Sequence, residues 1–483
     1  MRCYGARPDP GRAPLQWRQA VITVNTRSQW SGFERFLSLF TRVQAGEGRG
    51  VATLCLQAVL LMVAYYLIRP VREAMILTEG GAELRSYAVG AQALLLIAII
   101  PAYGALVRRV DSSRVFQWVN AFFASNLVVF FLLGEAGCRF GFMFFVWGSL
   151  FGVMTVTQFW AFATDLFSVK SGERLFGVIA VGLSGGSWIG SQLASAGFGL
   201  VGPHGLMLAA AAVLACATVL GRRVRDSIPA DSSSPPIDNP LATGGAGNPV
   251  GQWLGGLAVL GRSRYLIGIA VLVVLLNWIT STGDYVLSNW LVDVARMEAP
   301  HATSAFIGQF MGNYCSTITF VGFLVQLLLV SRLIHLAGLA RALLITPVAF
   351  FAGYVVIGVV PVFALLQSVL VVQRSLDYTL LNTARSALLL PTSRDEKYQA
   401  RTVIDTLCYR MGDLLSTLSI YAGVRYFGET RMQFVWLILV LSVLMTLVAW
   451  LIGREYANRF GAGQSSRRGA PVVSGGDVAL AQQ

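Results

Sequence analysis

Along most of its length the chain alternates between long uncharged apolar runs and short polar breaks. The stretches VNAFFASNLVVFFLLG and FVWLILVLSVLMTLVAWLIG are typical. Each approaches or reaches the roughly 20 residues that a helix needs to cross a bilayer. The runs are continuous rather than alternating, which excludes a transmembrane β-barrel. The pattern predicts an all-α polytopic membrane protein with twelve transmembrane helices, at about 51–76, 86–107, 115–134, 141–166, 174–200, 204–221, 265–291, 304–331, 341–360, 362–390, 400–424 and 433–453. Between the sixth and seventh lies RRVRDSIPADSSSPPIDNPLATGGAGNPVGQW, whose Pro, Gly, Ser and Asp content reads as a flexible polar linker. The expected organisation is a basic N-terminal segment (1–50), a six-helix bundle (51–221), a linker (222–264), a second six-helix bundle (265–453) and a tail (454–483).

Composition sharpens the class. The chain is 55% hydrophobic and 13% charged, about half the charge of an ordinary soluble domain. Its net charge of +13 is explained by where the arginines fall rather than by a nucleic-acid partner. Arg and Lys gather on the cytoplasmic side of membrane proteins. Here Arg108, Arg109 and Arg114, then Lys170 and Arg174, Arg222 and Arg223, Arg332 and Arg341, and Arg394, Lys397 and Arg401 occupy alternate loops. Both termini are therefore expected in the cytoplasm, with the protein a monomer in the bacterial inner membrane. The first 50 residues hold eight Arg and three acids without an apolar core, so they do not read as a cleavable signal peptide.

The halves resemble each other. The only two lysines, Lys170 and Lys397, follow the fourth and tenth spans in TDLFSVKSGERLFG and LLLPTSRDEKYQARTVID, each with an Arg four residues on. Duplicated halves with a site between them are a common plan of secondary transporters.

Charges inside the spans mark where chemistry sits, since a charge at mid-bilayer costs at least ~2.5 kcal/mol. YYLIRPVREAM places Arg69 and Arg72 on one helical face, with Glu73 beside them. They read either as a helix end reaching the interface or as part of a polar path. In the tenth span Arg374, Tyr378, Asn382 and Arg385 follow 4, 4, 3 spacing, a single stripe, with Asp377 able to pair with Arg374. Lining an aqueous path is the better reading there. The eleventh span carries Asp405, Arg410 and Asp413, where the last two can be helix-to-helix glue or part of the site. Asp165 closes the fourth span as a gate or an ordinary helix-end charge, and Asp284 interrupts the seventh. VGLSGGSWIGS, residues 181–191, is a small-residue stripe read as close helix packing.

Enzyme signatures are missing. There is no G-x-x-x-x-G-K-[ST] and no H-E-x-x-H. The six cysteines are scattered and the three histidines, His204, His301 and His335, lie at loops. The sequence suggests neither a metal nor a cofactor.

Four stretches resemble the nucleotide transporter family, the ATP:ADP antiporters of plastids and intracellular bacteria and their free-living bacterial relatives. They are YYLIRPVREAM, the fourth-to-fifth segment FWAFATDLFSVKSGERLFGVIAVGLSGGSWIGS, the tenth-to-eleventh segment RSLDYTLLNTARSALLLPTSRDEKYQARTVIDTLCYRMGDLLS and, more loosely, the seventh span. The resemblance covers about residues 50–455. It implies a major-facilitator-like fold, alternating access and exchange of nucleotides. It places substrate-binding basic residues at Arg69 or Arg72 and at Arg385, and an important acid at Asp165. The expected substrate-binding set is therefore Arg69, Arg72, Arg374, Tyr378 and Arg385. The expected gating or ion-pair set is Glu73, Asp165, Lys170, Asp284, Asp377, Lys397, Asp405, Arg410 and Asp413.

Three positions depart from the family pattern. Ser386 follows Arg385 where an acid is common, Asn277 stands in the region of the seventh-span carboxylate, and Arg replaces Lys at the phosphate positions. The leading expectation is exchange of an anionic, phosphorylated metabolite such as a nucleotide. The alternatives are a proton-coupled facilitator using Asp165, Asp284 or Asp405, and a membrane interaction protein that keeps the fold without transport.

Overall fold

The computed structural model describes residues 48–107, 112–166, 169–227, 249–389, 392, 400–428 and 431–468. They form a nearly all-helical bundle. The first helix, α1 (Gly48–Val107), carries both of the first two expected spans. They are joined by a sharp break at Gly81, with φ 68° and ψ −164°. That region of backbone space is open essentially to glycine, so the Gly80–Gly81 pair reverses the chain where a longer polar loop was expected. The end of the bundle at which α1 turns is called the Gly81 end below.

α2 (Ser112–Glu135), α3 (Gly141–Leu166), α4 (Val169–Leu200) and α5 (Gly202–Ser227) complete the first half. The start of α3 is fixed by Glu79, whose two carboxylate oxygens accept the Gly141 N–H at 2.9 Å, a carboxylate placed at a helix N-terminus. α4 and α5 pack along α1. Between α2 and α3 lies a stack of aromatic rings, Phe123, Phe130, Phe144, Trp147 and Phe151, with centroids 5.0–5.6 Å apart.

α6 (Pro249–Arg262) falls inside the stretch that composition marks as linker. Its sequence PVGQWLGGLAVLGR is apolar, and Val259 and Leu260 pack against the core. The polar composition belongs to residues 228–248, outside the described residues, so averaging over the whole stretch hid a helix.

The second half comprises α7 (Arg264–Glu298), α8 (Thr303–Val325), α9 (Ser331–Ala337), α10 (Leu339–Val359), α11 (Phe363–Leu376), α12 (Asn382–Leu388), α13 (Tyr409–Phe427) and α14 (Arg431–Arg468). π-helical turns occupy Gln326–Val330, Asp377–Leu381 and Ile404–Cys408. Among the described residues, eight helices are long and apolar enough to cross a membrane, the first of them (Gly50–Ile99) spanning the Gly81 break. The expected fifth, tenth and eleventh spans are not among the eight: Gly, Ser and Gln lower the hydropathy of the fifth, and π turns and charges divide the other two.

The halves touch through α1 with α7, α8 and α13, and through α4 with α8. Ser195 Oγ donates to the Gln309 carbonyl at 3.1 Å, and Thr417 Oγ1 to the Ser86 carbonyl at 3.0 Å. By chain direction both bonds lie toward the Gly81 end.

Candidate functional site

Between the halves lies a cavity of about 190 Å³. α1 supplies Tyr65, Arg69 and Arg72 before its break, at helical spacing 4, 3. After the break it supplies Arg85, Val89, Gln92 and Leu96, at spacing 4, 3, 4. α3 adds Phe145 and Ser149, α7 adds Asn277, Thr280, Ser281 and Asp284, α11 adds Arg374, and the π turns and α13 bring Tyr378, Tyr409, Arg410 and Asp413. Each helix thus presents residues three or four apart, one face turned to the cavity.

The charged groups are ordered into a network. Arg72 donates to Ser149 Oγ at 2.7 Å and lies over the Phe145 ring at 4.8 Å; Ser149 in turn donates to Gln92. Arg85 holds Glu73 through its Nε at 2.6 Å, and Arg72 lies 3.7 Å from the same carboxylate. Asp284 Oδ2 accepts from Arg374 at 2.5 Å and lies 3.6 Å from Arg85. Asp413 accepts from Ser281 at 2.6 Å and from Arg410 at 3.2 Å.

Arg69 stands apart. Its Nη1 reaches the Tyr66 hydroxyl at 3.4 Å and its guanidinium lies over the Tyr66 ring at 5.5 Å. It makes no ion pair among the described residues. The Nε atoms of Arg72 and Arg410 are buried without an acceptor. Five guanidinium groups (Arg69, Arg72, Arg85, Arg374 and Arg410) meet three carboxylates (Glu73, Asp284 and Asp413), so the cavity keeps an excess of two positive charges. Such a site is chemically suited to an anion with several oxygens, because the planar guanidinium fork matches phosphate or carboxylate. The tyrosines and Phe145 offer ring faces beside it. Among the described residues, no group of His, Cys, Asp and Glu is arranged to hold a metal.

Of the residues singled out from sequence, Arg69, Arg72, Arg374, Tyr378, Asp284, Arg410 and Asp413 converge on the cavity, and Glu73 joins through its arginines. Others lie elsewhere. Arg385 pairs with Asp405 at 3.2 Å and donates to Asn382 at 3.1 Å, toward the opposite end from Gly81. Asp405 also meets Arg401 at 3.4 Å. Arg374 pairs with Asp284 rather than with Asp377, which is buried in its π turn. That turn explains why the single stripe expected for the tenth span divides. A π turn inserts one residue and rotates the remainder of the helix by about 100°, so Arg374 and Arg385 no longer share a face. Asp165 is exposed at the end of α3. Lys170 lies in the first turn of α4, its side chain not described, and Lys397 falls outside the described residues.

Arg85 is a cavity residue that the sequence pattern misses, because it reads as a loop charge just before a span expected to begin at 86. Its 4, 3, 4 spacing with Val89, Gln92 and Leu96 is the signal that places it inside the helix.

Over 370 residues the chain is 24% identical to ADP,ATP carrier protein 2 of Chlamydia pneumoniae, an alignment that takes in 66% of each chain. This chain resembles an ADP,ATP carrier. The family resemblance carried by YYLIRPVREAM and its companion stretches thus has a curated counterpart, and the alignment spans just under two thirds of the carrier's own length. No family model matches the chain. Among solved structures, the nucleoside transporter NupG superposes with a TM-score of 0.61 at 13% identity, covering 83% of this chain and 98% of NupG. The POT family transporter PepTSo gives 0.61 at 14% identity, covering 85% and 99%. At such identities these neighbours show a shared fold and no more.

Proposed function

We propose that this chain is a secondary transporter that exchanges anionic, phosphorylated metabolites, ATP- or ADP-like nucleotides, by alternating access. The observation that carries the reading is the arginine-rich cavity between the halves, with Arg69 uncompensated by any carboxylate among the described residues. Phosphate oxygens are taken by Arg69 and Arg72 from the first half and by Arg374 from the second, so one anion touches both. Tyr65, Tyr378 and Tyr409 supply aromatic faces for the rest of the molecule. The similarity to an ADP,ATP carrier supports the substrate class.

In this reading the chain spans the bacterial inner membrane twelve times as a monomer. Its two six-helix halves, 51–221 and 265–453, are joined by a cytoplasmic linker, and both termini are cytoplasmic. The Gly81 end then faces the periplasm, and the arginine-rich loops face inward. The test is counter-exchange in proteoliposomes. Vesicles loaded with ADP should take up labelled ATP far faster than unloaded ones, and equal uptake by both would end the nucleotide-exchange reading.

A further inference from the structure

Two cavities lie end to end along the seam between the halves. The central one holds the arginine network. The second, about 650 Å³, opens at the Gly81 end and is lined by Gly80–Glu83 from the first half and by Asn289, Trp290, Asp293 and Arg431 from the second. Two helices line both. On α1, Ala82 and Glu83 face the larger cavity and Arg85 the smaller; on α7, Val286 and Asn289 face the larger and Asp284 the smaller. Arg85 and Asp284 therefore stand where one cavity gives way to the other, and there they pair at 3.6 Å.

This pair is one link in a chain of alternating charge. Arg72 meets Glu73 at 3.7 Å, Glu73 meets Arg85 at 2.6 Å, Arg85 meets Asp284 at 3.6 Å and Asp284 meets Arg374 at 2.5 Å. Of these links, only Arg85–Asp284 crosses from one half to the other. It is too long for a hydrogen bond, and it is kept in register by the tighter contacts on either side. Asp284 is also the most open member, its side chain 23% exposed against 8% for Glu73, 10% for Arg85 and 11% for Arg374.

We propose that Arg85–Asp284 is a lock that keeps the central cavity closed from the Gly81 end until an anion binds. It rests on the anion-transport reading above, because the anion is what releases it. A single atom, Asp284 Oδ2, faces both Arg374 and Arg85. A phosphate presents to Arg374 the same charge and fork geometry as that carboxylate and so competes for it directly. Once Arg374 turns to the ligand, Asp284 is held only by the longer bridge. A lone ion pair at 3.6 Å with a partly exposed carboxylate is weak, and the halves part at that end. An empty carrier stays shut and a loaded one opens, which makes transport an exchange rather than a leak.

Val89 lines the central cavity one turn beyond Arg85. In the full chain with its native cysteines replaced by serine, Val89→Cys therefore reports access to that cavity. The reporter is reconstituted in liposomes and treated with a membrane-impermeant maleimide from the Gly81 side. With Asp284 and Arg85 intact, labelling should be slow, and ADP supplied from the other side should hasten it. Asp284→Asn and Arg85→Gln, which cut the bridge from opposite halves, should each label up to about fivefold faster without ligand, the scale of losing one partly exposed ion pair. Vesicles carrying either variant should also release trapped ATP without external nucleotide. Two variants guard against one failing to fold. Labelling at the same rate in both variants as in the parent overturns the lock, even if exchange persists. A parent that moves neither ATP nor ADP counts against the nucleotide reading, while faster labelling of the variants would still support the lock.

Discussion

Arg69 differs from its neighbours in the cavity by lacking a carboxylate among the described residues. Arg85, Arg374 and Arg410 each meet an acid at 3.2 Å or less, so a substrate must displace something to reach them, whereas Arg69 is available at once. Arg69→Ala should therefore raise the half-saturating nucleotide concentration about 10- to 150-fold, the loss of a charge-assisted hydrogen bond of ~1.5–3 kcal/mol. Arg69→Lys should recover only part of that, since a point charge replaces a planar fork. Arg385→Ala should leave half-saturation near the parent value, because Arg385 faces Asp405 and Asn382 rather than the cavity. Concentration-dependent uptake decides both, and a large effect at Arg385 with none at Arg69 would reverse the assignment. Spacing puts Arg69 and Arg72 on one helical face and leaves open whether that face is a helix end or a polar path; the structure turns both, with Arg374, to the cavity. Spacing failed at Arg385, where a π turn that apolar patterning does not reveal intervenes. It also failed at Arg85, where a two-glycine break is too short to look like a loop boundary.

At the scale of elements, the glycine-rich stretch VGLSGGSWIGS behaves as its composition suggests. Gly182, Gly186 and Gly190 recur every four residues on α4 and lie against Cys55, Val59 and Val63, which recur every four residues on α1. A Cβ added at Gly186 would sit 2.5 Å from the Val59 carbonyl oxygen, and one at Gly190 would sit 2.9 Å from the Val63 backbone. The neighbours are main-chain atoms, so the helices must separate rather than a side chain rotate. Gly186→Val should cost at least the ~1–3 kcal/mol of ordinary overpacking and lower the melting temperature in detergent. Gly185 belongs to the same motif but meets nothing within 4 Å. Gly185→Ala should raise stability by about 0.5–1 kcal/mol through helix propensity alone. Similar melting shifts for the two would show that the contact with α1 does not hold these helices together. Helix identity and the packing role of this motif were legible because both depend on local sequence. Its partner on α1 was not, because nothing in a single chain states which of many apolar faces will accept a bare backbone.

For the whole molecule, the question is which contacts must part during transport. The halves meet toward the Gly81 end through Ser195 with Gln309 and Thr417 with Ser86. Tyr87 and Tyr421 lie beside the second contact with ring centroids 6.3 Å apart. At the opposite end, Arg385 and Arg401 pair with Asp405, within the second half. The Gly81 end of the seam is thus held by contacts between the halves, and alternating access requires that it open there. Gly90 is the place to test it. A Cβ built there would lie 3.3 Å from the Thr417 Cβ, close to the ~3.5–4.5 Å spanned by a disulfide. Gly90→Cys combined with Thr417→Cys should therefore cross-link on mild oxidation. If the seam must part in every cycle, oxidation should abolish counter-exchange and a reductant should restore it. Each single variant should keep exchanging under the same oxidant. Binding without transport should survive in the cross-linked protein, because neither Gly90 nor Thr417 lines the central cavity. Undiminished exchange by the fully cross-linked double variant would mean that substrate passes without these halves separating.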